Sequence, residues 1–280
     1  MAFYNLDGRV VAITGSTGGL GSAVCQALLD KGAKLALFDM DGAAVEAQAT
    51  ALGANTRAWQ VNVCSMESID KAMEEAAAHF GGIDVVIANA GITAFEPLVT
   101  GDPKVFERVI DVNLLGVWRT FRAAVGHVQK RKGYLMAISS LAAFSHSPLQ
   151  ASYTASKAGV WAMCNSIRLE LRHTGVAVGS VHPTFFHTPL MDQAFKSAAG
   201  SKIWKGNSSG LFKMVPLEDV VKSIVTGIEN RSDMMFIPKE NTFVAHLPRL
   251  FRKLIEAFEF KDSEVAAMVE AAKPAPARKK

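Results

Sequence analysis

The sequence predicts an α/β fold, a doubly wound parallel sheet of about seven strands in a single domain with a C-terminal helical extension. Three observations predict it. Short apolar runs alternate with stretches of helical periodicity along most of the chain. The runs are apolar at successive positions, the mark of strands covered on both faces. The first run ends in a glycine-rich turn that opens a helix, as in a βα unit that holds a ligand at the carboxyl end of its strand.

The candidate strands, in order, are 10–14 (VVAIT), 34–38, 57–61, 84–88, 134–139, 176–182 and 234–237. The candidate helices are roughly 19–31, 41–52, 66–80, 103–130, 152–173, 217–229 and 248–260. Ser65 before MESIDKAM offers a side-chain oxygen to the first free amides of a helix. Asp102 does the same before Pro103, a residue that has no amide hydrogen to leave unpaired. The region 183–216 breaks the alternation and is rich in Phe, Met and Trp between Gly and Ser. It reads either as a lid over the ligand edge of the sheet or as a loop packed on the body.

These elements place the domain at 1–246 and the extension at 247–280. Leu247, Leu250, Phe251, Leu254, Ile255 and Phe258 form one apolar stripe, with Arg249, Arg252, Lys253, Glu256 and Glu259 facing away. Such a helix packs on the body or on a neighbouring subunit, or lies on a membrane surface through 247–260. The last eight residues, KPAPARKK, are expected to form a disordered tail.

Composition narrows the function classes. At 280 residues and 49 % apolar, the chain can bury a sizeable core. Of the net charge of +4, the segment from Leu247 onward carries +3, so the body is near neutral. A neutral body argues against nucleic-acid binding. Cys25, Cys64 and Cys164 are far apart and form no CxxC or Cys/His cluster, so neither a metal site nor a disulfide framework is expected. No basic stretch followed by an apolar run opens the chain, and no run of about 18 apolar residues occurs. A cytoplasmic protein is therefore expected.

The first strand runs into TGSTGGLG, Thr14 to Gly21. Gly15, Gly19 and Gly21 keep Cβ atoms out of a tight turn, and the following helix offers free amides and the positive end of its dipole to a diphosphate. The loop residues Gly15, Ser16, Thr17, Gly18, Gly19, Leu20 and Gly21 are candidate cofactor contacts. Asp39 follows the second strand, 24 residues after Gly15. A carboxylate there suits the ribose hydroxyls of NAD and repels the 2′-phosphate of NADP. Ser16 and Met40 stand where a phosphate-binding cation would be needed. Asp39 could instead cap the helix at 41–52, a role that Asp41 could also fill.

Tyr153 and Lys157 are four residues apart and share a helix face. A free phenol, with a pKa of about 10, is a poor base at neutral pH, and a nearby ammonium favours the phenolate. The pair can then take a proton from an alcohol or return one to a ketone. Ser140, at the end of the strand before this helix, can donate to a substrate oxygen.

With these motifs the chain resembles the short-chain dehydrogenase/reductase family, in its compact single-domain branch, over about residues 5–240. The resemblance implies a Rossmann-type fold and hydride transfer with NAD. It implies that Asn62 and Val63 contact adenine and that Asn89, Ala90 and Gly91 border the cofactor. Asn113, inside DVNLLG, would hold a water of a proton relay, or simply hydrogen-bond backbone. Ser140, Tyr153 and Lys157 match the catalytic trio, and Lys157 would also bind the nicotinamide ribose. Thr188, five residues after Pro183, would reach the carboxamide. The family's usual Pro-Gly is Pro183-Thr184 here, so Thr184 and Phe185 are less regular nicotinamide contacts.

For the substrate, Phe95, Ala142, Phe144, Gln150, Phe186, Met191, Phe195 and Trp204 are candidate wall residues, or else core. Most are apolar and none is a cation, which points to a small hydrophobic secondary alcohol or ketone: steroid-like, retinoid-like, aryl or long-chain. The alternatives are a dinucleotide-binding regulatory protein with little turnover, or a lipid or retinoid dehydrogenase associated with a membrane surface. The resemblance also implies a homo-oligomer, dimer or tetramer, paired through helices 103–130 and 152–173.

Overall fold

The computed structural model describes residues 3–188, 213–247 and 262–272. Seven parallel strands form one sheet: β1 Val10–Thr14, β2 Lys34–Asp39, β3 Thr56–Gln60, β4 Val85–Ala88, β5 Tyr134–Ile138, β6 Ala177–Pro183 and β7 Met234–Ile237. Their order is β3-β2-β1-β4-β5-β6-β7, so the direction of winding reverses between β1 and β4. Seven strands were expected, and each falls within a residue or two of its expected place. The Rossmann-type plan puts ligands outside the carboxyl ends of the strands at such a reversal.

The helices are α1 Gly19–Leu29, α2 Gly42–Leu52, α3 Met66–Phe80, α4 Pro103–Ile110, α5 Gly116–Arg131, α6 Ala151–Leu171, α7 Leu217–Glu229, α8 Thr242–His246 and α9 Asp262–Ala271. Successive strand residues point to opposite faces. Val11 and Ile13 of β1 therefore join one core, with Leu20 and Val24 of α1, Val45 of α2 and Ile224 of α7. Val10 and Ala12 join the other, with Ile69 of α3, Phe121 of α5 and Val160 of α6. Both layers are apolar, which is why the strands read as continuous apolar runs.

The expected helix starts are in place. The Ser65 hydroxyl accepts from Ser68 N at 3.2 Å, and Asp102 Oδ1 accepts from Lys104 N at 2.9 Å just before Pro103. The expected single helix over 103–130 is interrupted. A π-helical turn at Asp111–Leu115 separates α4 from α5 and carries the buried Asn113. Such bulges widen the spacing of a helix and recur at functional sites.

Several further elements, the short α8 among them, did not stand out in the sequence. A 3₁₀ turn at Leu141–Ala143 follows β5, and α9 lies in the extension that was read as a stripe helix plus a loose tail. The stripe helix at 248–260 lies outside the described residues, as does most of the region 183–216. The described ends of that region are joined, because Phe186 pairs with Val215 and Val215 N donates to the Phe185 carbonyl at 2.8 Å. No helix among the described residues is long and apolar enough to cross a membrane.

Candidate active site

The carboxyl edges of the central strands open into one cavity of about 730 Å³. Its floor begins at the glycine loop. Gly15 adopts φ +65°, and a Cβ there would meet Ala90 Cα at 2.8 Å. A Cβ at Gly21 would stand 2.2 Å from the Gly15 carbonyl oxygen. The loop thus folds on itself at a distance that only glycine permits. Asn89 locks it to β4, donating from Nδ2 to the carbonyls of Thr14 at 3.0 Å and Gly15 at 2.9 Å. The Thr14 hydroxyl in turn accepts from Asn89 N and Ala90 N. Asn89 is therefore a structural staple as well as a wall residue.

Asp39 ends β2 beside this loop. Its Oδ2 accepts from Thr17 N at 3.1 Å and from the Thr17 hydroxyl at 2.7 Å. The competing role as a helix cap falls to Asp41, whose Oδ1 accepts from Ala44 N at 3.0 Å. Met40 is 62 % exposed at the rim, with no cation beside it. Ser16 needs correction: it is fully buried and turned away from the cavity, its hydroxyl donating to Gln48 Oε1 at 2.8 Å. Gln48 also holds the Ser16 carbonyl through Nε2 at 2.7 Å, a supporting role with no signal in the sequence.

The remaining loop residues, Thr17, Gly18, Gly19 and Leu20, line the cavity. So do Asn62 and Val63 after β3, and Ala90 and Gly91 after β4. Cys64, Arg108 and Val112 complete this end and were not anticipated. The cradle without side chains, the free helix end and the lone carboxylate fit a dinucleotide with an unsubstituted ribose.

Ser140, Tyr153 and Lys157 come together where β5 meets α6. Lys157 is 5 % exposed, and its Nζ donates to the Ile138 carbonyl at 2.8 Å. Burial lowers its pKa to about 8. The Nζ lies 5.5 Å from the centre of the Tyr153 ring. Burial raises the pKa of Tyr153, partly offset by a hydrogen bond with Ser140. The expected lowering by the ammonium is not seen here: burial dominates, and the Ser140 hydrogen bond is the one cause that opposes it. Ser140 is in an extended conformation before the 3₁₀ turn, and its Oγ also accepts from Ala142 N at 3.1 Å.

Asn113 does not line the cavity. Its Oδ1 accepts from Ile92 N at 2.8 Å, and its Nδ2 donates to the Ile92 carbonyl at 2.9 Å and to Ser156 Oγ at 3.2 Å. All its polar atoms therefore serve to tie β4's exit to α6. It does stand close to the lysine: a Cβ on Gly91 would lie 3.4 Å from Asn113 Oδ1 and 3.6 Å from Lys157 Nζ.

His182, next to Pro183 in β6, was missed. It is fully buried under Ser140, with Nδ1 3.3 Å from the Ser140 carbonyl oxygen and Nε2 2.8 Å from Ser180 Oγ. Its ring stacks on Phe236 at 5.1 Å. Burial lowers its pKa to about 4. A histidine preceding a strand-ending proline carries no motif that could have flagged it.

Past the trio the cavity turns apolar. Phe95, Ala142, Gln150 and Phe186 line it as expected. Pro183, Thr184, Phe185 and Thr188 line its edge at the end of β6. Thr184 N donates to the Ile237 carbonyl at 2.8 Å, so the threonine is held as an extension of the sheet edge. Leu141, Ser145 and His146 are added members of the wall, whereas His187 is exposed away from it. Phe144 is a correction: it is 6 % exposed and packs edge-on against Trp161 and His182, each at 5.0 Å, in a core cluster of its own. The turn at Leu141–Ala143 rotates it away from the cavity. Met191, Phe195 and Trp204 lie outside the described residues.

The short chain dehydrogenase model matches residues 9–199. A 3-oxoacyl-acyl-carrier-protein reductase of Vibrio cholerae is 31 % identical over 187 residues, covering 66 % of this chain and 77 % of that one. A 3beta-hydroxysteroid dehydrogenase 1 of Eggerthella lenta is 33 % identical over 199 residues, covering 69 % and 76 %. The crystal structure of a short chain dehydrogenase/reductase from Burkholderia phymatum in complex with NAD shares the fold, with a TM-score of 0.77, 22 % identity, and coverage of 89 % of this chain and 97 % of that one. With the family model spanning well over half of its length, the chain belongs to the short-chain dehydrogenases.

Proposed function

We propose that the chain is an NAD(H)-dependent oxidoreductase that interconverts a hydrophobic secondary alcohol and its ketone. The observation that carries this reading is the convergence of Ser140, Tyr153 and Lys157 on one point of the cavity, between the glycine loop and an apolar wall. When bound, the dinucleotide supplies or takes the hydride. Ser140 donates a hydrogen bond to the substrate oxygen. Tyr153, raised in pKa and thus a neutral phenol at neutral pH, gives its proton to the oxygen of a ketone. In the reverse direction it must first lose that proton, so alcohol oxidation speeds up with pH. Lys157 favours the phenolate form and presents its ammonium to the cofactor ribose, while its bond to Ile138 fixes its height. Asn113 holds the segment at Ile92, after β4, against α6 around the lysine, beside the place where a relay water would sit.

Asp39 with its Thr17 clamp supports NAD over NADP. The wall of Phe95, Ala142 and Phe186 supports an apolar substrate, and the printed activities of the Vibrio and Eggerthella relatives agree with a carbinol or ketone group on an acyl or steroid skeleton. The exposed apolar residues Phe106 of α4, Leu115 of the π-helical turn and Trp118 of α5 support a homo-oligomer paired through this surface.

Absorbance of the reduced nicotinamide tests the reading, with hydrophobic secondary alcohols and ketones and each cofactor in turn. Turnover with NAD(H) well above that with NADP(H) is expected. Cofactor binding without turnover of any substrate in a broad panel would favour a dinucleotide-binding protein instead.

A further inference from the structure

Helix α9 makes an unusual use of its one buried side chain. Met268 is 2 % exposed, and its partners are Phe95, Leu149 and Phe185, not the layers that cover the sheet. Phe95 and Phe185 line the cavity, from the segments after β4 and after β6 respectively. Leu149 belongs to a third segment, before α6, and holds a left-handed φ of 66°. Its carbonyl accepts from Glu96 N at 2.9 Å, next to Phe95. A leucine in that conformation is strained and persists only when its surroundings hold it. Met268 packs against a residue of each of the three segments and is not itself among the residues that line the cavity.

We infer that Met268 is a specificity-determining positioning residue: by bracing Phe95 and Phe185, it limits the size of the substrate that the cavity accepts. The inference rests on the reading of this cavity as the site of an apolar alcohol or ketone. An unbranched thioether fills an irregular gap between two rings well and contacts them favourably. Truncation to alanine leaves a void beside the rings, and they gain room to swing outward. The cavity then lengthens at its apolar end, with the glycine loop and the trio untouched.

The test is titration of short and long straight-chain 2-ketones into the NAD⁺ complex of the full chain. A ketone cannot react with the oxidised cofactor, so the titration reads binding alone. Met268→Ala is expected to raise the ratio of long-chain to short-chain affinity about tenfold, the scale of added room in an apolar pocket. Met268→Leu, which conserves volume, is expected to keep the wild-type ratio. NAD⁺ affinity unchanged in both variants shows that the body is intact. An unchanged ratio in Met268→Ala, or no ketone binding by either protein, overturns the inference. A shifted ratio in Met268→Ala, together with a wild-type protein that fails to oxidise NADH with any ketone, leaves the inference standing and overturns the proposed activity.

Discussion

His182 Nδ1 lies 3.3 Å from the Ser140 carbonyl oxygen, while its Nε2 lies 2.8 Å from the Ser180 hydroxyl. A carbonyl can only accept, so Nδ1 carries the proton and Nε2 accepts from Ser180. One neutral tautomer satisfies both partners, and β6 thereby fixes the backbone of Ser140. His182→Phe keeps the stacking on Phe236 and removes both bonds. Loss of one or two buried hydrogen bonds at this point is expected to lower kcat about tenfold, with NAD affinity unchanged. A fall in cofactor affinity with kcat preserved would assign His182 to the fold alone.

The same burial makes the protein acid-sensitive. The folded pKa of about 4 is below the ordinary 6.5, so the unfolded state binds more protons between those values. Stability present above pH 6.5 is lost as pH falls toward 4, by about 3 kcal/mol for this group. Urea midpoints at neutral and acid pH measure it. The His182→Phe variant should show a shallower loss over that window, and equal slopes would contradict the assignment.

Lys157 works in the opposite range. Its folded pKa of about 8 is below the ordinary 10.5, so its ammonium costs stability below pH 8, and the cost fades as pH rises to 10.5. Relative to Lys157→Met, the wild type should gain about 3 kcal/mol across that window. In the pH profile of ketone reduction, kcat/KM should decline through about 8 as the ammonium is lost. A flat profile to pH 10 would remove the lysine from the reacting group.

The candidate trio of Ser140, Tyr153 and Lys157 and the glycine loop were legible in the sequence because each is a short-range signal: a fixed spacing on one helix, or glycines at one turn. The seven strands were legible for a similar reason, since burial on both faces leaves no polar residue to blur a run such as VVAIT. What escaped depends on contacts across the fold. Gln48 is 32 residues from the Ser16 that it holds. His182 gains its meaning from β5 on one side and Phe236 on the other. Phe144 was misplaced because a three-residue turn, invisible to periodicity, decides which way it faces. The π-helical turn at Asp111–Leu115 adds a residue to a helical repeat that otherwise continues from α4 into α5, so the pattern read as one helix.

Asp39 offers a test of cofactor choice. Its carboxylate is already oriented by Thr17 N and Oγ1, leaving it placed to accept from a ribose hydroxyl and to repel a phosphate. Asp39→Ala is expected to lower kcat/KM with NAD at least tenfold, the scale of a lost hydrogen bond to a charged acceptor. Use of NADP should rise at the same time. Adding Met40→Arg, at an exposed rim position, should extend the gain by supplying a cation. An unchanged NAD to NADP ratio in Asp39→Ala would place the ribose elsewhere.

Gly21→Ala tests whether the loop's closeness to itself is what binds the dinucleotide. The added methyl would lie 2.2 Å from the Gly15 carbonyl oxygen and 2.9 Å from that of Ser16. Both are backbone atoms, so no side chain can swing aside and the turn itself must open. Gly15 cannot follow freely, because Asn89 Nδ2 holds its carbonyl and Ala90 is packed against it. The substitution is expected to destabilise the protein by about 1–3 kcal/mol, the range for forced overpacking. It should weaken NADH binding as well, since the amides that face the diphosphate move with the loop. Thermal unfolding with and without NADH separates the two effects. A variant with a lowered Tm but a normal NADH-induced rise would show that the loop relaxes without losing its anion site, and would transfer the binding role to the end of α1 alone.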